Sequence, residues 1–423
     1  VYQLLQVGTL SAYDPKQFTP PMRGAIVDRG GELLTADRVL YQIIATPNEL
    51  KSDQARQAVA QRLQEVTGIP AAQTIQTLLQ FPDSHYAEIG QPLDAELSQR
   101  VQAMQAAALD ADALSPLRYI TVRATPTRYY PQKSLAGHLL GFTQANRNGA
   151  YGLEEYYNAF LNERGVGLLE QTAAAFGTLP APTRRFLPSA VGKDLVLTLD
   201  RSIQWIIEEE LRNGIAKYRA KSGTIIVMEP QTGAVLGMAN WPDYDPNQRA
   251  TSAADFARFD NVSISAIYEP GSVFKIVTMA AGLDVGVITP TMVMTDSGYI
   301  IVGERSIYNS DRRANGQVNV TQALARSLNV ITAQVAELVG RDRFYQYVRR
   351  FGFGERTGID LAGEVPGLLK KPGDELWSFS DLGTNSFGQG LAATPLQMVN
   401  ATAAIANGGR LMRPYVVQAR MAN

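Results

Sequence analysis

The sequence predicts a multidomain α+β protein, in which a β-rich N-terminal domain with a helical insertion precedes a mixed α/β domain. The chain has 423 residues, whereas one domain typically takes about 100–200. Residues 180–188 are rich in proline, arginine and threonine, which is typical of a linker. Strand and helix patterns also occur in separate groups, as in α+β proteins. We therefore expect domains at residues 1–188 and 189–423.

The N-terminal region has strand patterns on both sides of a helical stretch. Short β-branched or apolar runs precede a Gly-Gly turn at Gly30-Gly31 and recur at residues 41–46 and 119–124. Between them, residues 54–66 place apolar side chains at helical spacing, and the helical pattern resumes further on. We expect a helical insertion over about residues 47–115.

The second region opens with an alternating strand pattern at residues 194–199. Asp200 follows in the position of a helix cap, before an amphipathic run at 203–218. Two apolar runs flank the turn Pro230-Gln231-Thr232-Gly233 and predict a hairpin. Further helical patterns cover residues 272–283, 320–339 and 394–406.

Composition excludes several classes of function. The 39 basic and 40 acidic residues give a net charge of -1, so nucleic acid is not an expected partner. There is no cysteine, which excludes a catalytic thiol and thiolate metal sites. There are only two histidines, His85 and His138. A histidine-rich metal site is therefore hard to assemble, and a Ser-His-Asp triad would have to use one of these two. We expect no metal and no cofactor, and a lysine is a plausible base for acyl chemistry.

The strongest chemical motif is Ser272-Val273-Phe274-Lys275, preceded by Pro270-Gly271 and followed by an apolar helical pattern. Ser272 should lie near a helix N-terminus, with Lys275 on the same face one turn later. A serine hydroxyl needs a base to become a nucleophile, and burial would lower the pKa of a lysine enough for that role. Taken alone, the motif more often marks a capping serine and a solvated lysine.

A second motif, Ser327-Leu328-Asn329, follows a helical run. These polar residues could simply lie inside a helix or at its end, hydrogen-bonded to the backbone. Alternatively, Ser327 passes a proton to a leaving amine and Asn329 binds a substrate amide. The order Ser-x-x-Lys then Ser-x-Asn is found in penicillin-binding proteins and class A β-lactamases.

Over nearly its whole length the chain resembles the class B penicillin-binding proteins. The resemblance is carried by several strings in family order: Arg23-Gly24 with Asp28-Arg29-Gly30-Gly31, Arg128-Tyr129-Tyr130-Pro131, Gly152-Leu153-Glu154, Leu197-Thr198-Leu199-Asp200, Tyr268-Glu269-Pro270-Gly271-Ser272, and Phe387-Gly388-Gln389-Gly390. It implies a non-catalytic N-terminal pedestal and a β-lactamase-like serine-transpeptidase domain.

The resemblance also implies an activity, peptidoglycan D,D-transpeptidation. Ser272 would be the acylated nucleophile, Lys275 its base, Ser327 a proton relay and Asn329 a ligand of the substrate amide. Gly388, Gln389 and Gly390 would flank the substrate. The implied partners are peptidoglycan stem peptides, β-lactams and a polytopic glycosyltransferase of the elongation or division machinery. A single-pass membrane anchor would precede Val1, with the domains on the extracytoplasmic side.

The family's third motif, Lys-Thr/Ser-Gly, is not found after Gly390, and Lys371-Pro372-Gly373 has proline where the hydroxyl belongs. We therefore expect a transpeptidase domain that lacks its C-terminal part, and weak or no acylation of this chain by β-lactams. Two alternatives stay open: a β-lactamase or β-lactam sensor, and a non-catalytic scaffold of a wall-synthesis complex.

Overall fold

A computed structural model describes residues 22–144, 146–162, 192–248 and 256–421. The predicted linker at 180–188 lies outside the described residues. In the part of the chain that is described, no helix is both long and apolar enough to cross a membrane.

The described strands are β1 (Ile26–Val27), β2 (Leu33–Ala45), β3 (Ala87–Leu93), β4 (Ile120–Tyr129), β5 (Phe142–Thr143), β6 (Gly149–Ala150), β7 (Asp194–Leu197), β8 (Gly223–Met228), β9 (Val235–Trp241), β10 (Val293–Asp296), β11 (Tyr299–Val302), β12 (Arg305–Tyr308), β13 (Gly316–Asn319) and β14 (Val417–Met421).

The described α-helices are α1 (Asp53–Thr67), α2 (Ala71–Gln80), α3 (Ala95–Ala111), α4 (Gly137–Leu140), α5 (Gly152–Tyr156), α6 (Asn158–Leu161), α7 (Arg201–Tyr218), α8 (Val262–Ser265), α9 (Lys275–Val285), α10 (Val320–Ala325), α11 (Asn329–Val339), α12 (Arg341–Arg350), α13 (Phe379–Asn385) and α14 (Pro395–Ala406). Short 3₁₀ turns occur at Pro47–Glu49, Pro116–Tyr119 and Gly271–Phe274. The mixed helix and strand content agrees with the predicted fold class.

One sheet joins the beginning, middle and end of the described chain. Its strand order is β14-β7-β1-β2-β3, and β4 also pairs with β2. The β1–β7 pair is parallel, and β14 pairs antiparallel with β7. Strands from both halves of the sequence therefore share one hydrogen-bonded ladder.

The predicted helical insertion at 47–115 contains a strand, β3, which the sequence analysis missed. Ala87 and Ile89 face the core and pair with Ala45 and Ile43 of β2. The strand contains Gly90 and a proline, both of which are uncommon inside strands, and they hide its alternating pattern. A wholly helical interpretation of this stretch was wrong at β3, although α1, α2 and α3 form around it.

A buried ionic cluster holds the N-terminal region together. Glu154 is fully buried and accepts hydrogen bonds from Nε of Arg23 at 2.6 Å and Nε of Arg128 at 2.7 Å. Asp37 accepts from Arg128 at 3.4 Å and from Arg147 at 2.6 Å. Buried charges are tolerated when they are paired and hydrogen-bonded. Arg23, Arg128 and Glu154 each belong to a different motif of the family resemblance, and the fold brings them together in this cluster.

The second region follows the predicted pattern closely up to α9. The side chain of Asp200 caps α7 by accepting from the N–H groups of Ser202 and Ile203, and β8 and β9 form the predicted hairpin. Helix α9 packs against α11 in an apolar core that includes Val277 and Val335.

The helix predicted over residues 320–339 is broken in two. Helix α10 ends at Ala325 and α11 begins at Asn329, because Ser327 has a left-handed backbone conformation with φ of 57°. A helix of L-residues cannot continue through that conformation. The prediction of one continuous helix was wrong, and the break gives Ser327 its position in the site.

Candidate active site

The candidate nucleophile lies in a turn that runs directly into a helix. Ser272 is the second residue of the 3₁₀ turn Gly271–Phe274, and α9 begins at Lys275. Phe274 and Lys275 are buried, whereas Ser272 is exposed. No hydrogen bond occupies the Ser272 hydroxyl within the described ranges. The turn therefore presents Ser272 to solvent at the N-terminus of a helix, as the sequence predicts.

Lys275 is fully buried, and its amine points at the break between α10 and α11. Nζ donates to the carbonyl oxygen of Ser327 at 2.5 Å and to its hydroxyl oxygen at 2.9 Å. Burial lowers the pKa of Lys275 to about 8, because a charged amine loses hydration. The described residues give this lysine no salt bridge that would keep it charged. A neutral amine is thus accessible at mildly alkaline pH.

The left-handed turn at Ser327 directs both of its oxygens towards Lys275. The N–H of Ser327 donates to the carbonyl of Leu324, and the N–H of Leu328 donates to that of Ala323, which closes the end of α10. A non-glycine residue in this conformation is uncommon and costs free energy. In return for this cost, the conformation brings both oxygens of Ser327 within hydrogen-bond distance of Lys275.

Asn329 begins α11 on the far side of the break. Its Nδ2 donates to the carbonyl of Tyr308 at 2.9 Å, which fixes the orientation of the amide. The structure thus brings Lys275 and Ser327 into contact and places Asn329 two residues further along the same segment. The N–H of Val330 donates to Oδ1 of Asn309 at 3.2 Å.

The Gly388-Gln389-Gly390 segment lies against the nucleophile turn. The N–H of Gly271 donates to the carbonyl of Gly388 at 2.9 Å, and the N–H of Gly390 donates to Oε1 of Glu269 at 2.8 Å. A Cβ at Gly388 would lie 2.3 Å from the carbonyl oxygen of Gly271. The two glycines therefore support the turn through their backbone. Gln389 is exposed beside it, and substrate binding by this segment stays a prediction.

One string that the sequence analysis passed over is Lys221-Ser222-Gly223. It precedes Ser272 in the chain, whereas the family order places Lys-Thr/Ser-Gly after Asn329. Lys221 and Ser222 are exposed where β8 begins, and Gly223 packs towards Leu211 of α7. In the described part of the chain this string makes no hydrogen bond or ion pair with Ser272, Lys275 or Ser327. In the fold this string marks the start of β8.

Two other supporting residues were not singled out from the sequence. Glu269 belongs to the Tyr268-Glu269-Pro270 string, so its position next to Ser272 was a usable signal. Asn309 has no motif around it and reaches the site only through the fold.

Two family models match the chain. The model described as the penicillin-binding protein transpeptidase domain matches residues 223–422. The model described as the penicillin-binding protein dimerisation domain matches residues 18–167. The first match contains Ser272, Lys275, Ser327 and Asn329.

Curated relatives match along most of this chain. Stage V sporulation protein D of Bacillus subtilis is 29% identical over 409 residues, which cover 94% of this chain and 59% of the relative. Peptidoglycan D,D-transpeptidase FtsI of Escherichia coli is 28% identical over 399 residues, which cover 93% of this chain and 64% of the relative. The chain thus spans less than two thirds of the length of these relatives.

A solved structure also matches. Penicillin-binding protein 3 of Mycobacterium tuberculosis in complex with aztreonam is 25% identical, with a TM-score of 0.66, and the match covers 96% of this chain and 68% of the other. The two family models match in the order that the motifs predict. The relatives align along most of the chain, and the solved structure has the same fold. The chain belongs to the class B penicillin-binding proteins.

Proposed function

We propose that the chain carries out the acyl transfer of a peptidoglycan D,D-transpeptidase, with Ser272 as the nucleophile. The observation that carries the proposal is the contact of Lys275 Nζ with Ser327 Oγ at 2.9 Å, one helical turn from an exposed serine. A buried lysine with a lowered pKa, hydrogen-bonded to one serine and three residues after an exposed one, is an arrangement suited to proton transfer at neutral to alkaline pH.

In the first step, Ser272 Oγ attacks the carbonyl carbon of the penultimate D-alanine of a stem peptide. Neutral Lys275 takes the hydroxyl proton, and the N–H groups of the first helical turn stabilise the developing oxyanion. The C–N bond to the terminal D-alanine then breaks. Ser327 passes a proton from Lys275 to the leaving nitrogen, and Asn329 holds the amide of the bound peptide.

In the second step, the amine of a neighbouring stem peptide attacks the acyl-enzyme. A new amide bond forms, the bond to Ser272 Oγ breaks, and the proton of the amine returns through Lys275 to Ser272. The net result is one cross-link and one free D-alanine.

A β-lactam would acylate Ser272 by the same first step, since opening its ring forms the corresponding ester. The solved structures of the Mycobacterium tuberculosis relative with aztreonam and with ampicillin support this part of the proposal. From the family resemblance we also propose that the protein acts at the outer face of the cell membrane, next to a polytopic glycosyltransferase.

Covalent labelling tests the proposal directly. The purified chain is incubated for hours with a fluorescent penicillin and analysed by intact-mass spectrometry and peptide mapping. We expect slow formation of one adduct at Ser272, which a prior excess of unlabelled penicillin prevents. The Ser272→Ala variant, which removes only an exposed hydroxyl, should fold normally and remain unlabelled.

Labelling of Ser272→Ala at the same rate would contradict the role of Ser272. A complete lack of adduct in the folded chain would instead support a non-catalytic scaffold, and rapid hydrolysis of the penicillin would support a β-lactamase.

A further inference from the structure

Asp296, at the end of β10, is a fully buried carboxylate to which the mechanism above gives no role. Its oxygens accept hydrogen bonds from the N–H of Gly298 at 3.0 Å, from the amide of Asn309 at 2.7 and 3.0 Å, and from the amide of Asn315 at 2.7 Å. The residues that the structure describes offer it no cationic partner. Burying a charge is costly unless hydrogen bonds satisfy it, and here neutral donors do so.

The carboxylate determines which way the Asn309 amide faces. Nδ2 of Asn309 donates to both oxygens of Asp296 and also to the carbonyl of Arg313 at 3.0 Å. With the NH₂ group held on that side, Oδ1 points the other way and accepts from the N–H of Val330 at 3.2 Å. Reversing the amide would place oxygen against oxygen at Asp296.

Asn309 in turn positions the first turn of α11. Val330 follows Asn329, and Nδ2 of Asn329 donates to the carbonyl of Tyr308, the residue before Asn309. Two consecutive residues of α11 are therefore hydrogen-bonded to Tyr308, the last residue of β12, and to Asn309, which follows it. Asp296 anchors the second of these, so the carboxylate is two hydrogen bonds away from the start of α11.

We propose that Asp296 is a positioning residue, which acts through Asn309 to orient Asn329 and the Ser327–Asn329 segment for acylation of Ser272. The proposal rests on the proposed function for its effect on acylation. Its structural part, the coupling of Asp296 to the start of α11, stands independently of any activity.

The variant Asp296→Asn tests the structural part. It keeps the size of the side chain but replaces one acceptor oxygen with an NH₂ group. That NH₂ group would face the N–H donors of Asn309, Asn315 or Gly298, so at least one hydrogen bond is lost. Asp360→Asn is the matched control, since Asp360 is also buried and accepts from the N–H groups of Val416 and Val417 and from Tyr157 OH, outside this network. Both variants should lower the melting temperature.

Hydrogen–deuterium exchange of the peptide containing Val330 separates the two variants. We expect about tenfold faster exchange there in Asp296→Asn, because a lost hydrogen bond opens the first turn of α11, and no change in Asp360→Asn. Unchanged exchange in Asp296→Asn, or an equal increase in the control, would overturn the proposal.

Acylation rates at temperatures well below melting test the functional part. We expect Asp296→Asn to slow acylation by fluorescent penicillin about tenfold, since small displacements of positioning groups have large effects on rate. In an Asn329→Ala background the same change should slow it less than about twofold, because coupled residues are not additive.

Fully additive effects would show that Asp296 does not act through Asn329. If the parent chain is not acylated at all, the proposed function fails, and the exchange experiment still decides whether Asp296 organises the start of α11.

Discussion

The amine of Lys275 lies 2.9 Å from the hydroxyl of Ser327, a residue that the sequence places in a different helix pattern. The contact exists because the chain turns left-handed at Ser327 and points both of its oxygens at a buried lysine. It joins the proposed base directly to the proposed proton relay by a hydrogen bond.

The acylation rate should rise with pH through about 8, the pKa that burial gives Lys275. Below that pH the amine is protonated and cannot accept a proton from Ser272, whereas above it the neutral base predominates. Measuring labelling by fluorescent penicillin from about pH 6 to pH 10 tests this. Lys275→Arg should be inactive across the range, since a guanidinium stays charged. A rate independent of pH would contradict Lys275 as the base.

Ser327→Ala and Ser327→Gly should both slow acylation, by about 100-fold or more, because both remove the hydroxyl that we propose as the proton relay. They should differ in stability. Glycine adopts the φ of 57° without strain, so Ser327→Gly should be more stable than Ser327→Ala by about 1 kcal/mol. Chemical denaturation measures that difference. Near-normal acylation in the glycine variant would mean that only the backbone of Ser327 is needed.

Gly388→Ala should lower both stability and acylation. The new Cβ would lie 2.3 Å from the carbonyl oxygen of Gly271, so the nucleophile turn must move. Gly286→Ala is the control, because Gly286 also has a positive φ but nothing within 4 Å of its Cβ position. The control should cost only about 1–2 kcal/mol of backbone strain and leave the acylation rate per folded molecule unchanged. Equal effects of the two variants on acylation would argue against support of the turn by Gly388.

Glu154→Gln should destabilise the N-terminal region by about 3–5 kcal/mol, because two buried arginines would lose their carboxylate partner. Glu65→Gln, in the exposed Arg62–Glu65 pair, should change the free energy of unfolding by less than about 1 kcal/mol. Urea unfolding compares the two. If both variants changed the free energy of unfolding only slightly, Asp37 alone would be sufficient to balance the buried charges of Arg23 and Arg128.

The parts of the fold that the sequence predicted are those that local interactions determine. Asp200 caps α7 with its own side chain, the β8–β9 hairpin forms around a four-residue turn, and Ser272 and Lys275 are close because one helical turn separates them. The order of the Ser-x-x-Lys and Ser-x-Asn motifs also singled out Ser327 and Asn329, but no local pattern predicted the helix break at Ser327.

What the sequence did not predict depends on distant partners. Residues 320–339 have an unbroken helical pattern, yet α11 begins only at Asn329, where Tyr308 and Asn309 supply acceptors from another part of the chain. Strand β3 pairs with β2 across α1 and α2, and its glycine and proline conceal its alternation. Neither feature has a local signal strong enough to outweigh helix propensity.

The sheet that contains β1, β7 and β14 has a consequence for how the protein folds. Ile26 pairs with Leu195, and Leu195 pairs with Arg420, so neighbouring positions of one ladder come from widely separated parts of the chain. Contacts of such high sequence separation slow folding, since loop-closure entropy must be lost before the pairs form. We expect this ladder to assemble late, after the helices around Ser272 and the insertion have formed.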